Sequence, residues 1–103
     1  MSFIPEVAAR AAFAPQAMQK LDCFTSQRLL LGLNCFEPGQ SQRVHAHAGA
    51  DKFYLVMSGR ASVVVGEETR DLAAGDLAFA PAGVTHGVVT AYERTIMLVG
   101  ITR

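Results

Sequence analysis

The chain has no tryptophan, only two cysteines and four prolines, and no formal net charge, its nine basic residues being matched by nine acidic ones. Each shortage removes a class of function. Cys23 and Cys35 are too few for a disulfide scaffold and are not spaced as a zinc pair, so they read as small buried hydrophobes. Zero net charge without any Lys/Arg cluster leaves nothing to draw the chain to phosphate backbones or acidic lipid, and nucleic acid is excluded as a partner. No segment approaches the ~20 apolar residues of a membrane span. The N-terminus carries Glu6 and Arg10 and lacks the apolar run of a signal peptide, so the expected location is the cytoplasm, with no membrane partner.

What is present fits one domain. A chain of 103 residues hides roughly two thirds of its unfolded surface and folds without a structural metal. Half of the residues are apolar, more than so small an interior can hide, which points to a second subunit and a homodimer. Residues 1–15 form an N-terminal segment. Pro5 and Glu6 precede the alanine-rich run Val7 to Ala12, which supports one or two helical turns, and Pro15 ends it.

From residue 16 to 103 the helical period gives way to short β-type runs, separated by turn residues every 8–12 positions, the pattern of an all-β antiparallel sandwich or barrel. Strands are expected at 17–24, 27–36, 43–47, 52–57, 60–66, 69–72, 76–80, 85–91 and 94–102. A tight turn at Thr25-Ser26 would pair Cys23 near residue 28 and Cys35 near residue 16, too far apart to bridge. The second strand is apolar on both sides. Leu29, Leu31, Leu33 and Cys35 share one face, Leu30, Asn34 and Phe36 the other, so it must be covered from inside the barrel and from outside.

The only three histidines fall in two stretches. His45 and His47, two apart in an extended run, project from one face with β-carbons ~7 Å apart, so that both imidazoles can meet one cation. His86, just after Pro81-Ala82-Gly83, is the one residue able to complete a facial set of three.

These two stretches resemble the paired motifs of the cupin family. Gly39, five residues, His45-Ala46-His47 and a closing Gly59 match the first motif; Gly75, Pro81, Gly83 and His86 match the second, with a spacer of 15 residues between them. The resemblance implies a cupin β-barrel, a double-stranded β-helix or jelly roll, over residues 16–103, with a metal on His45, His47 and His86. Two positions depart from the family pattern. The family's glutamate ligand falls on Asp51 when counted from His47 and on Lys52 when counted back from Gly59. Strand alternation lets only one of them face the histidines. Lys52, Tyr54 and Val56 share the face that the Gly59 count makes interior, which favours a set of three histidines, with Asp51 the alternative fourth ligand and Lys52 a candidate catalytic amine. Thr90 stands where the family has a structural asparagine. The glycines and Pro81 are equally explained as barrel corners and support fold rather than function. Tyr54, Phe36 and Phe79 are core residues that would also shape a pocket if they line the barrel mouth.

Imidazole ligands suit Fe, Mn, Co, Ni, Cu or Zn. With iron the resemblance implies a dioxygenase acting on a small oxygenated organic molecule. With another divalent metal it implies Lewis-acid chemistry such as isomerisation, cyclisation or decarboxylation. The alternative from a different class is a cupin that binds a small molecule or carbohydrate without turnover, since a fold shared by many functions specifies none of them.

Overall fold

The computed structural model describes residues 2–103. Met1, part of the N-terminal segment set out above, lies outside them. After a single 3-10 turn at Val7–Arg10, the strands are β1 (Gln19–Thr25), β2 (Leu29–Phe36), β3 (Gln42–His45), β4 (Lys52–Ser58), β5 (Arg60–Val65), β6 (Glu68–Ala73), β7 (Leu77–Ala80), β8 (His86–Ala91) and β9 (Thr95–Thr102). Every pairing is antiparallel. Two sheets result, one ordered β1-β2-β9-β4-β7 and the other β3-β8-β5-β6, the two-sheet jelly roll.

The core lies between the sheets and follows the strand period of two. On β4 the buried residues are Lys52, Tyr54 and Val56, alternating with half-exposed Phe53, Leu55 and Met57. Tyr54 and Val56 meet Phe36 from β2, Met97 and Val99 from β9, Val63 from β5, Leu72 from β6 and Val88 from β8 in one cluster. Each such side chain contributes about 1.5–3 kcal/mol on leaving water. At the β4–β5 corner Gly59 has φ 87°, and a β-carbon there would run into the carbonyl oxygen of Arg94. Only glycine closes this turn without strain.

Leu33 and Cys35 are fully buried on the opposite face of β2, outside the central cluster. Part of the cover of Cys35 is the chain's own N-terminal segment, where the Ala12 backbone is hydrogen-bonded to it; that segment is tied down by the Gln40 side chain on the Ala14 carbonyl and by the Arg94 guanidinium stacked on Phe13 at 4.2 Å. The two-sided apolar character of β2 therefore answers in part to an intramolecular cover.

The N-terminal expectation holds in its shorter form, and two local expectations are corrected. The alanine-rich run stops after one 3-10 turn, because Glu6 enters it in a left-handed conformation and Ala11 leaves it extended. The β1–β2 connection spans Ser26 to Leu29, closed by the Ser26 amide on the Leu29 carbonyl, and a bulge at Cys23 shifts the register so that Cys35 pairs with Gln19. Both cysteines are free. Strand β3 ends at His45, so His47 lies just beyond it.

Candidate metal centre

Strands β3 and β8 run side by side and carry His45 and His86 to one end of the barrel, with His47 just past the end of β3. His45 pairs with His86, and Gln42 pairs with Val88. Three residues of β3 therefore span the distance of two on β8, which places one extra residue in β3. Without that bulge Gln42 and His45 would point to opposite faces; with it both turn inward. Gly87 makes the bulge possible. A β-carbon on it would stand 2.9 Å from the Gln42 carbonyl oxygen, 3.0 Å from Val44 Cα and 3.1 Å from the Arg43 carbonyl oxygen.

The ring centroids of His45, His47 and His86 lie 4.5–5.4 Å apart, and one ligand atom from each falls within 4.8 Å of the others. His45 Nδ1 is 2.8 Å from the Arg43 carbonyl, and His86 Nδ1 is 2.9 Å from the Val84 carbonyl. A carbonyl only accepts, so in both rings Nδ1 carries the proton and Nε2 presents a lone pair. His45 Nε2 and His47 Nε2 stand 3.2 Å apart, close to the ~3.4 Å that two nitrogens span on one tetrahedral zinc. His86 is only 1% exposed, and its Nε2 has no hydrogen-bond partner among the described residues. A buried acceptor left unpaired costs about 1–3 kcal/mol, which a cation between the three rings would offset. These residues thus fit a transition metal. Burial holds the pKa values of His47 and His86 below the usual imidazole value, and the charges of neighbouring histidines and Lys52 act in the same direction. Both therefore stay neutral, as ligands must.

The two carboxylate-position candidates part company. Asp51 is exposed and accepts a hydrogen bond of 2.9 Å from the Ala82 amide, outside the histidine cluster. It latches the Pro81–Gly83 turn, whose Gly83 amide in turn donates to the His47 carbonyl. Lys52 takes the interior position, 3% exposed, with Nζ 4.7 Å from the centre of the Tyr54 ring. Burial, reinforced by the nearby Lys20 charge, lowers its pKa to about 8. Tyr54 lies below His86 with ring centres 6.1 Å apart and donates its hydroxyl proton to Gln42 Oε1 at 2.6 Å, and burial pushes its pKa up. Phe36 is fully buried in the core. Phe79 is corrected as a pocket residue for this site: alternation on β7 turns Ala78 and Ala80 inward and leaves Phe79 62% exposed, lining a separate groove with Leu77 and Arg70.

Beside His47 the barrel opens into a cleft of about 80 Å³ between β1, β2, β4 and β9, lined by Lys20, Asp22, Asn34 and Lys52 among apolar residues. Asn34 and Gln42 were missed by sequence reasoning, yet each holds a buried side-chain nitrogen without a partner. The signal for Asn34 was its place as the one polar residue in Leu29–Phe36. Gln42 and Gly87 gave none, since their roles depend on the bulge.

Residues 32–101 match the family model described as "Cupin domain". A Streptomyces coelicolor protein, the uncharacterized protein SCO3923, is 38% identical over 68 residues, covering 64% of this chain and 62% of its own length, so the chain spans less than two thirds of that relative. The crystal structure of TT1209 from Thermus thermophilus superposes with a TM-score of 0.91 at 41% identity, over 96% of this chain and 95% of that one. An RmlC-like cupin protein from Desulfovibrio desulfuricans shares the fold, with a TM-score of 0.89 at 22% identity over 99% and 97% of the two chains.

Proposed function

This chain belongs to the cupin domain family, and from that premise we propose that it holds one divalent transition metal on His45, His47 and His86 and acts as an enzyme on a small oxygenated organic molecule. The observation that carries this reading is the convergence of three imidazoles in which His86 Nε2 is buried without a partner. When bound, the metal supplies Lewis acidity, and if it is iron, redox chemistry toward dioxygen; the first gives an isomerase, cyclase or decarboxylase and the second a dioxygenase.

The chain's own residues supply the rest. The Arg43 and Val84 carbonyls fix the tautomer of His45 and His86, so both rings present Nε2 inward. Tyr54 and Gln42, both buried, hold each other in place beneath the site. Lys52 remains mostly protonated at neutral pH with a value of about 8, so it offers a positive charge and hydrogen-bond donors to the bound molecule rather than serving as a base. The cleft of about 80 Å³ sets the size of the part of the substrate that enters it.

Two further parts of the reading concern context. The groove formed by Phe3, Val7, Phe24, Leu31 and Leu98 on the outside of the larger sheet, with Phe3 80% and Phe24 46% exposed, suits a homodimer contact. Two free cysteines suit the reducing cytoplasm. Among the described residues no helix is long and apolar enough to cross a membrane.

Turnover is tested by loading the protein separately with iron, zinc, manganese and nickel and presenting a panel of small diketones, phenols, hydroxy acids and oxo acids. Dioxygen uptake with iron, or substrate loss with another metal, that disappears in His86→Ala is the expected result. Metal-replete protein that consumes nothing while binding members of the panel would refute the enzyme and leave a binding protein.

A further inference from the structure

The cleft beside the histidines contains polar groups that nothing among the described residues satisfies. Asn34 is 3% exposed and its Nδ2 has no acceptor, although its strand is otherwise apolar and a leucine would seal the same position. Leaving such a donor unpaired in the interior is costly. Lys52, equally buried, takes part in none of the three ion pairs among the described residues; the Tyr54 ring is its neighbour. A buried ammonium without a counterion is also costly. Lys20 adds a second positive charge at the rim, and exposed Asp22 is the single carboxylate among the described residues that line the cleft, so the balance is positive. A donor amide and an ammonium on one wall match the two acceptor oxygens of a carboxylate.

We propose that this cleft is a carboxylate subsite, in which Lys52 Nζ and the Asn34 side-chain amide hold the acid group of a short-chain organic acid whose adjoining hydroxyl or oxo oxygen faces His47. This narrows the substrate class of the reading above and rests on it for the role of that second oxygen. It also gives the departure from the family's glutamate a purpose: the lysine removes a ligand from the metal and supplies an anchor for the substrate. The cleft's size limits the ligand to a few heavy atoms on this side.

The test is an NMR titration of the full-length chain, both zinc-loaded and chelator-treated, with glycolate, its uncharged isostere glycolamide, and sulfate, while zinc per chain is measured in the same samples. Glycolate should shift the backbone amide resonances of Gly32, Leu33 and Val99, which line the cleft in every variant, saturably in both samples, and glycolamide and sulfate should not. Lys52→Met and Asn34→Leu should each weaken glycolate about tenfold or more while leaving zinc stoichiometry unchanged. If Lys52→Met does not fold, Asn34→Asp, which keeps the shape and adds a negative charge, should abolish the response. No saturable shift, an equal response to glycolamide or sulfate, or undiminished binding in the variants would overturn the subsite. Glycolate binding by a chain that takes up none of zinc, iron, manganese and nickel would sustain the subsite and refute the metal reading; zinc uptake without glycolate binding would do the reverse.

Discussion

Replacing Lys52 with methionine should stabilise the metal-free protein. The lysine is 3% exposed, and its pKa falls from 10.5 to about 8 on folding. One pKa unit corresponds to about 1.4 kcal/mol, so the charged form costs the folded state about 3 kcal/mol. The sign follows from proton binding. Between pH 8 and 10.5 the unfolded lysine is protonated and the folded one is not, so stability rises with pH across that window. Below pH 8 both forms are charged and the full cost is present. Methionine fills nearly the same volume without the charge, and urea denaturation at pH 7 should show a gain of about 2–3 kcal/mol that shrinks toward zero by pH 10.5. Tyrosine and cysteine ionisation is common to both proteins and cancels in the difference. A Lys52→Met protein no more stable than the parent at pH 7, or a difference independent of pH, would show that the ammonium is not held at a cost. A gain in stability joined to a loss of glycolate binding would identify the position as one where stability is given up for a ligand.

Three other perturbations probe the framework. Gly87→Ala forces a β-carbon against three backbone atoms of the β3 bulge; it should cost about 1–3 kcal/mol in urea denaturation and weaken metal binding by moving His45, and a variant equal to the parent in both would remove the bulge's role. His86→Ala should abolish stoichiometric metal uptake, whereas Asp51→Asn should leave it intact and cost about 1 kcal/mol by weakening the latch on the Ala82 amide; equal losses of metal would mean that Asp51 is a ligand. Because burial holds His47 and His86 below the usual value of 6.5, zinc affinity should change little from pH 8 to 6.5 and fall steeply below about 6 as protons compete; a flat isothermal titration series down to pH 5 would count against histidine ligation.

The strands were legible because their signals are local. Alternation on β4 and turn residues at Gly59, Gly66 and Gly75 do not depend on distant partners, and these three glycines all adopt positive φ. The interior position of Lys52 was legible for the same reason: Lys52, Tyr54 and Val56 obey a period of two, whichever residue the family pattern would prefer. What was not legible depends on pairs of strands. The Cys23 bulge moves the β1–β2 register, and the extra residue of β3 exists only because Gly87, more than forty positions away, yields space to it. The alanine run keeps to the shorter of its expected lengths, a single turn, because propensity over so few residues does not overcome nucleation and Glu6 offers no side-chain cap. Phe79 was misassigned although alternation from Ala80 already turned it outward.

Metal content of the untagged protein, purified anaerobically without chelator and compared with a His45→Ala/His47→Ala double variant, bears on all of this most directly. About one equivalent of a transition metal in the parent and none in the folded variant is the result expected from three converging imidazoles. Equal metal in both proteins, or a parent that stays metal-free after incubation with iron, zinc, manganese and nickel, would contradict the metal centre.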